Sequence, residues 1–193
     1  MNNVCVYAGS NPGVDAVYAE TARKLGQEIA RRRLGLVYGG SNMGLMGCTA
    51  NAVLESGGTA IGVMPRGLFR GEMAHTGLSQ FYEVADMHER KAKMAELSDA
   101  FIALPGGYGT WEELFEAVSW CQLGIHQKPV GILNVNGYYT PLLQMIGNAV
   151  SAGFMPSSHA DLLVSDSDPA RLLDKLAAYQ RPELSNKWGQ KDE

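Results

Sequence analysis

The feature that most constrains the fold is the alternation of short apolar runs with amphipathic helical patterns. The apolar runs have strand length, and several end in glycine-bearing turns that lead directly into a helix. Such alternation is typical of βα units, which build a parallel sheet with helices on both faces. Predicted strands lie at 4–8, 36–38, 59–64, 81–84, 100–104, 130–133 and 162–164, and predicted helices at 15–33, 45–55, 86–98, 111–121, 139–152 and 168–179. The sequence therefore predicts an α/β fold: a Rossmann-like, doubly wound, mainly parallel sheet of about seven strands flanked by helices.

Length and composition indicate one domain. The chain has 193 residues, of which 46% are hydrophobic and 19% charged, enough for one sizeable core and too few for two. We expect a single Rossmann-like domain over residues 1–180 and a flexible polar tail over 181–193.

Charge and residue usage exclude several classes of protein. The net charge of −4 argues against a nucleic-acid partner, which needs a clustered basic face. Three cysteines without CxxC spacing indicate reduced thiols and a cytoplasmic location. The four histidines form no metal-ligand pattern, so no metal is expected. The sequence has no apolar run of about 20 residues, so we do not expect it to span a membrane.

The turn at 105–113, with sequence PGGYGTWEE, joins a predicted strand to a predicted helix with three glycines. Glycine lets a ligand approach the main chain, and the N–H groups at a helix N-terminus attract anions. The other glycine-bearing turns, near 9 and 39, should face the same crevice at the carboxyl ends of the strands. The chain lacks GxxxxGK[ST], the first turn is not GxGxxG, and no acidic residue ends the second strand, so a mononucleotide fits better than a dinucleotide. The predicted substrate-binding residues on these turns are Ser10, Gly39, Gly40, Gly44, Gly106, Gly107, Gly109 and Thr110.

The predicted helix at 86–98 places a cation on its buried face. Arg90 shares the inner stripe with Met87 and Met94, and a buried guanidinium must find an anion. Its partner is either an internal carboxylate or a ligand phosphate or ribose, and Lys91 beside it adds charge.

Glu113 has two interpretations. Thr110 and Glu113 fit a capping box, which needs no function. The same carboxylate, at a helix N-terminus that holds a phosphate, would lie beside the sugar of the ligand and could orient water.

Residues 65–80 interrupt the alternation with one proline and three glycines. The segment is either a mobile flap over the crevice or an ordinary connection.

Three motifs together resemble the LONELY GUY family of cytokinin-activating phosphoribohydrolases. They are GGSNMGLMG at 39–47, MHERK at 87–91 and PGGYGTWEE at 105–113, which matches the family pattern PGGxGTxxE in full. The second turn departs slightly from the family form SGGGxxGLMG, because 41–43 replace one glycine position.

The resemblance implies hydrolysis of the N-glycosidic bond of an N6-substituted adenosine 5′-monophosphate without a cofactor. It also implies a homodimer, with Arg90 and Glu113 as the catalytic pair. We further expect Met87 and Lys91 to bind the substrate. Family members were long labelled lysine decarboxylases, but Lys91 and Lys93 show no carboxylate partner for a pyridoxal ring, so that activity is disfavoured. A non-catalytic nucleotide-binding or carrier protein is the alternative, and release of free adenine from AMP distinguishes the two.

Overall fold

The computed structural model describes residues 1–67 and 74–184. Its strands are β1 (Asn3–Tyr7), β2 (Gly35–Tyr38), β3 (Thr59–Pro65), β4 (Gln80–Val84), β5 (Ala100–Ala103), β6 (Val130–Leu133) and β7 (Leu163–Asp166). Its helices are α1 (Ala16–Arg31), α2 (Gly44–Glu55), α3 (Met87–Glu96), α4 (Tyr108–Leu123), α5 (Thr140–Ser151), α6 (Ser157–Ala160) and α7 (Pro169–Ala177), with a 3₁₀ turn at Val135–Gly137.

The seven strands form one parallel sheet in the order β4-β3-β2-β1-β5-β6-β7. The predicted fold class is confirmed. The strand order reverses between β1 and β5, which lie side by side with Val4 opposite Ala100. Ligands of open α/β sheets bind at such a switch point, outside the carboxyl ends of the strands. The fold therefore directs attention to the turns after β1 and β5.

Helices cover both faces of the sheet because the central strands are apolar on both sides. In β1, Val4 and Val6 join the core formed with α1, α2 and α7, while Cys5 and Tyr7 join the core formed with α3, α4 and α5. This alternation follows from the two-residue period of a strand. Both cores bury their side chains almost completely, which explains why the strands read as continuous apolar runs.

The end of the chain agrees with the local signals of the sequence up to α7. Asp168 caps this helix by accepting a hydrogen bond from the Arg171 N–H at 2.9 Å, and Pro169 occupies the first helical position. Residues 181–184 follow without regular secondary structure, and the rest of the expected polar tail, 185–193, lies outside the described residues.

The segment expected to form either a flap or a connection is described only in part, because 68–73 lie outside the described residues. After them, Ala74 forms an antiparallel bridge with Ser41, and the His75 N–H donates to the Gly40 carbonyl at 2.9 Å. Residues 74 and 75 are thus joined to the second glycine-rich turn.

Candidate active site

A cavity of about 720 Å³ opens where the strand order reverses. Its walls come from the turn after β1, the start of α2, the N-terminus of α3 and the turn from β5 into α4. The lining residues are Ala8, Gly9, Ser10, Asn11, Pro12, Gly13, Val14, Tyr18, Leu45, Met46, Met87, Arg90, Pro105, Gly106, Gly107, Tyr108, Gly109, Thr110, Glu112, Glu113 and Tyr138.

The three glycine-bearing turns contact one another at the back of this cavity. The Gly9 N–H donates to the Pro105 carbonyl at 3.1 Å, and the Gly9 carbonyl accepts from the Leu45 N–H at 3.0 Å. Gly44 has a φ of +56°, and a Cβ there would collide with the backbone of Ser10. The second turn therefore supports the first turn from behind.

The N-terminus of α4 presents main-chain donors to the cavity. The helix begins at Tyr108, and Gly107, the residue before it, makes no side-chain cap. The first intrahelical bond runs from the Trp111 N–H to the Gly107 carbonyl at 3.0 Å, so the N–H groups of Tyr108, Gly109 and Thr110 have no carbonyl one turn earlier to bind. These amides lie at the positive end of the helix dipole, an arrangement that can bind an anion.

The predicted capping box is wrong. It required Thr110 to precede the helix, but the helix starts at Tyr108, two residues before Thr110. Thr110 therefore lies within the first turn, and Glu113 lies one turn further along. Gly107 takes the position before the helix that the capping box assigned to Thr110. The Glu113 side chain lines the cavity instead of returning to the backbone.

Arg90 is held in a space that a glycine creates. It is 9% exposed, and its Nε donates to the Val63 carbonyl at 3.1 Å. A Cβ on Gly39 would collide with Nη2 of Arg90, so the glycine that follows β2 makes room for the guanidinium. Arg90 Nη1 lies 3.7 Å from the Met87 sulfur and also 3.7 Å from Glu113 Oε1. Arg90 and Glu113 therefore form an ion pair, but their separation is too long for a hydrogen bond.

Glu113 is a carboxyl group with a raised pKa. Burial, which leaves the residue 9% exposed, raises its pKa to about 7. The positive charge of Arg90 acts against this shift, and the negative charge of Glu112 adds to it. A buried carboxyl that titrates near neutrality beside a guanidinium, in a cavity, is typical of a catalytic site.

Lys91 does not line the cavity. Its Nζ bonds Glu112 Oε1 at 2.5 Å and Glu116 Oε2 at 2.7 Å, and the side chain is largely buried by these contacts. Lys91 thus joins α3 to α4 at the base of the site.

The structure brings together most of the predicted site residues. Those that line the cavity are Ser10, Met87, Arg90, Gly106, Gly107, Gly109, Thr110 and Glu113. Those that do not line it are Gly39, Gly40, Gly44 and Lys91. Gly39 makes room for the Arg90 side chain, Gly44 packs against the Ser10 backbone, and the Gly40 carbonyl binds the His75 N–H.

Sequence reasoning missed the aromatic side of the cavity. Tyr18 and Tyr138 meet edge to face with ring centroids 6.3 Å apart, and the Tyr138 hydroxyl donates to the Gly106 carbonyl. Tyr18 lies in α1 and Tyr138 follows β6, so no local pattern joins them to the turn at 105–113.

The described residues form neither a metal site nor a membrane-spanning helix. Within residues 1–67 and 74–184, no group of three or more His, Cys, Asp or Glu side chains is arranged to hold a metal ion. In the same part of the chain, no helix has both the length and the apolar character needed to cross a membrane.

The fold and the site together define a Rossmann-like α/β protein with a mononucleotide-sized cavity, a helix N-terminus that can bind phosphate, and a buried arginine–glutamate pair. A family model described as "possible lysine decarboxylase" matches residues 46–176. The chain is 51% identical to the cytokinin riboside 5′-monophosphate phosphoribohydrolase LOG5 of Arabidopsis thaliana over 180 residues, 93% of this chain and 79% of that protein. It is also 51% identical to the probable cytokinin riboside 5′-monophosphate phosphoribohydrolase LOGL9 of Oryza sativa subsp. japonica, with the same coverage of both chains. The chain belongs to the LONELY GUY family.

Solved structures share the fold at lower identity. The molybdenum cofactor binding protein of Rippkaea orientalis superposes with a TM-score of 0.70 at 22% identity, over 92% of this chain and 96% of that one. The molybdenum cofactor carrier protein of Chlamydomonas reinhardtii superposes with a TM-score of 0.68 at 22% identity, over 93% of this chain and 99% of that one. These similarities confirm the architecture alone.

The decarboxylase description does not fit the site. A pyridoxal phosphate enzyme needs a lysine that is free to form a Schiff base in the cavity. Among the described residues no lysine lines the cavity, and the nearby Lys91 is engaged by two carboxylates.

Proposed function

We infer that this chain is an enzyme that hydrolyses the N-glycosidic bond of cytokinin riboside 5′-monophosphates, which are N6-substituted adenosine 5′-monophosphates, to the free base and ribose 5-phosphate. The names of the relatives at about half identity support this activity. The observation that carries it is the buried Arg90–Glu113 pair in the same cavity as the uncapped N-terminus of α4.

The substrate phosphate binds the N-terminus of α4. The main-chain N–H groups from Gly107 to Thr110, together with the Thr110 hydroxyl, donate to the phosphate oxygens, and the helix dipole adds to the attraction. Gly107 and Gly109 leave open space where a Cβ would project, so the phosphate can approach the main chain. Ser10, on the facing turn, completes this part of the cavity.

The ribose lies against Glu113, whose ionised carboxylate binds its hydroxyls and stabilises the positive charge that develops at C1′. The same carboxylate accepts a proton from the attacking water as the water oxygen bonds to C1′. The C1′–N9 bond breaks, and its electron pair leaves with the base.

Arg90 stabilises the departing base. Nε of Arg90 is bound to the Val63 carbonyl, which leaves the terminal nitrogens, at the cavity, to donate to a base nitrogen as it gains negative charge. Met87 lies beside this guanidinium and contacts the base or sugar. The proton that Glu113 received returns to the base, which completes the hydrolysis.

We propose a homodimer that buries the apolar face of α4 and α5. No residue of α5 is fully buried in the single chain, although the helix is largely apolar. Phe115 and Met145 are 45% and 54% exposed, and both line an apolar cavity of about 260 Å³ between these helices and α6. His159 at this cavity is buried, and neither ring nitrogen has a hydrogen-bond partner within the described part of the chain. A second copy would cover the apolar groups and supply polar partners for the imidazole.

We also propose a cytoplasmic location. The thiols of Cys5, Cys48 and Cys121 are all free, and two of them are buried in the core. This cysteine usage is typical of a reducing compartment.

Product analysis tests the proposed activity. The protein is incubated with AMP, an N6-substituted AMP and the matching nucleosides, and the products are separated by chromatography. We expect a free base and ribose 5-phosphate from the monophosphates and much slower reaction of the nucleosides. A protein that binds AMP without releasing adenine is a carrier, and equal turnover of nucleosides contradicts the phosphate site.

A further inference from the structure

Two adjacent tyrosines hold the turn that follows β5. The Tyr138 hydroxyl donates to the Gly106 carbonyl, and the Tyr139 hydroxyl donates to the Leu104 carbonyl at 2.7 Å. Gly106 lies in the phosphate-binding turn, whereas Leu104 precedes it. The activity proposed above assigns no role to either tyrosine.

A rigid turn delivers the two side chains. Asn136 and Gly137 both have positive φ, at 50° and 74°, which reverses the chain sharply after β6. The Asn134 side chain accepts from the Tyr139 N–H at 2.7 Å and donates to the Thr140 hydroxyl at 3.2 Å. These bonds fix the start of α5 and with it the direction of both rings.

The peptide between Gly106 and Gly107 needs such an anchor. Neither residue has a Cβ, so this peptide rotates at little steric cost. In a trans peptide the carbonyl and the following N–H point in opposite directions, and the described chain contains no cis peptide. A carbonyl of Gly106 held by Tyr138 therefore fixes the Gly107 N–H on the side away from that hydroxyl.

The ring of Tyr138 is itself restrained. It lines the cavity and packs edge to face against Tyr18 and Tyr139, with centroids 6.3 and 4.9 Å away. The hydroxyl thus approaches Gly106 from a fixed position.

We propose that Tyr138 is a positioning residue for the substrate phosphate, because its hydroxyl holds the Gly106–Gly107 peptide so that the Gly107 N–H joins the first-turn amides of α4. This inference rests on the proposed function. It adds to that function a residue, about 30 positions later in the chain, that fixes the conformation of the phosphate-binding turn.

The chain offers a matched control. Tyr139→Phe removes a hydroxyl of the same kind, but the peptide it holds joins Leu104 to Pro105, whose nitrogen has no hydrogen to aim at a ligand. Tyr139 is also the more buried of the two, so a purely structural role would make Tyr139→Phe the more harmful change.

The test measures binding of ribose 5-phosphate and of adenosine by calorimetry, and steady-state hydrolysis of AMP. We expect Tyr138→Phe to raise the Kd for ribose 5-phosphate and the KM for AMP about tenfold, with kcat changed less than about threefold. The Kd for adenosine, which lacks phosphate, should stay within about twofold. Tyr139→Phe should lower the Tm and leave all three ligand parameters unchanged.

Equal weakening of ribose 5-phosphate and adenosine by Tyr138→Phe would overturn the proposal, as would an equal effect of the two variants. A second measurement needs only the wild-type protein: titration of ¹⁵N-labelled chain with ribose 5-phosphate should shift the Gly107 amide resonance together with those of Tyr108 and Gly109. A Gly107 resonance that does not move contradicts the inference even when AMP is hydrolysed, whereas failure to hydrolyse AMP contradicts the proposed activity instead.

Discussion

At the scale of single residues, the ionisation of Glu113 links the proposed chemistry to pH. Its pKa lies near 7 because burial disfavours the carboxylate, and our mechanism uses the carboxylate. The active form therefore accumulates as pH rises through neutrality, in contrast to an ordinary glutamate that is ionised throughout this range.

We accordingly predict that kcat/KM for AMP rises with pH through an apparent pKa near 7. Glu113→Gln should lose at least about 100-fold in kcat and lack this dependence. Glu116→Gln is a suitable control. Removal of the Glu116 charge lowers the pKa of Glu113, so the rise of kcat/KM should move to lower pH. Stopped assays across pH 5–9 measure all three proteins, and normal hydrolysis by Glu113→Gln would refute the catalytic role.

The same group makes a prediction about stability. The folded pKa of about 7 exceeds the ordinary value of 4.5, so between these values the folded state keeps a proton that the unfolded chain releases. The stability that this proton contributes is therefore fully present below pH 4.5 and is lost as the pH rises from 4.5 through about 7. Glu113→Gln, which cannot ionise, should be more stable than the wild type at pH 8.5 by about 3 kcal/mol relative to their difference at pH 4.5. Urea unfolding at the two pH values measures the difference, and an equal difference at both would contradict the raised pKa.

At the scale of elements, the N-terminus of α4 combines a weak helix start with an open surface. Gly107 and Gly109 make no tight contact, and a Cβ on either would meet nothing within 4 Å. Glycine is a poor helix former, so packing within the chain does not explain its presence at 109. The proposed phosphate site accounts for it, because a phosphate can approach the main chain only where no side chain projects.

Gly109→Ala should therefore separate stability from activity. We expect the free energy of unfolding to increase by up to about 1 kcal/mol, because alanine loses less conformational entropy in a helix. The KM for AMP should rise at the same time, because the methyl group projects into the phosphate site. Gly106→Ala serves as a contrast: its Cβ would collide with Thr110, so this variant should lose stability as well. A Gly109→Ala protein with unchanged KM would place the phosphate elsewhere.

At the scale of the whole molecule, the sheet brings distant segments to one edge. Three segments share one cavity although they lie far apart in the chain: the turn after β1, the first turn of α3 and the start of α4. They meet because β1 and β5 are neighbours and their connections leave on opposite sides of the sheet. The apolar face of α4 and α5 lies outside that cavity, and the proposed homodimer covers it.

Charge on this face should separate the subunits. We predict that Met145→Glu converts a dimer into a monomer, because it buries an unpaired carboxylate in an apolar interface. Gln27→Glu, on the exposed side of α1 beyond the other face of the sheet, changes the net charge equally and should leave the dimer intact. Light scattering after size-exclusion chromatography measures the mass of each protein, and a wild-type monomer at about 50 μM would reject the dimer.

Much of the architecture could be predicted because its causes are local. Apolar runs of strand length indicated all seven strands to within a few residues, and the helical pattern predicted over 168–179 contains α7. The short helix α6 and the 3₁₀ turn before α5 carried no such periodicity and were not predicted. The capping box failed because the helix begins after Gly107, which has no side chain and therefore gives no capping signal in the sequence.

The sequence by itself determined the parallel α/β class, the glycine-rich turn between β5 and α4 and the presence of a buried arginine on α3, because strand length, glycine content and helical period are properties of neighbouring residues. Only the tertiary structure decided that Gly39 makes room for Arg90 and that Glu113 faces this guanidinium at 3.7 Å. It also decided that Lys91 pairs with two carboxylates and that the Tyr138 hydroxyl binds the Gly106 carbonyl. These contacts join residues far apart in the chain, and their geometry exists only once the strand order has placed the ends of β1, β2 and β5 side by side.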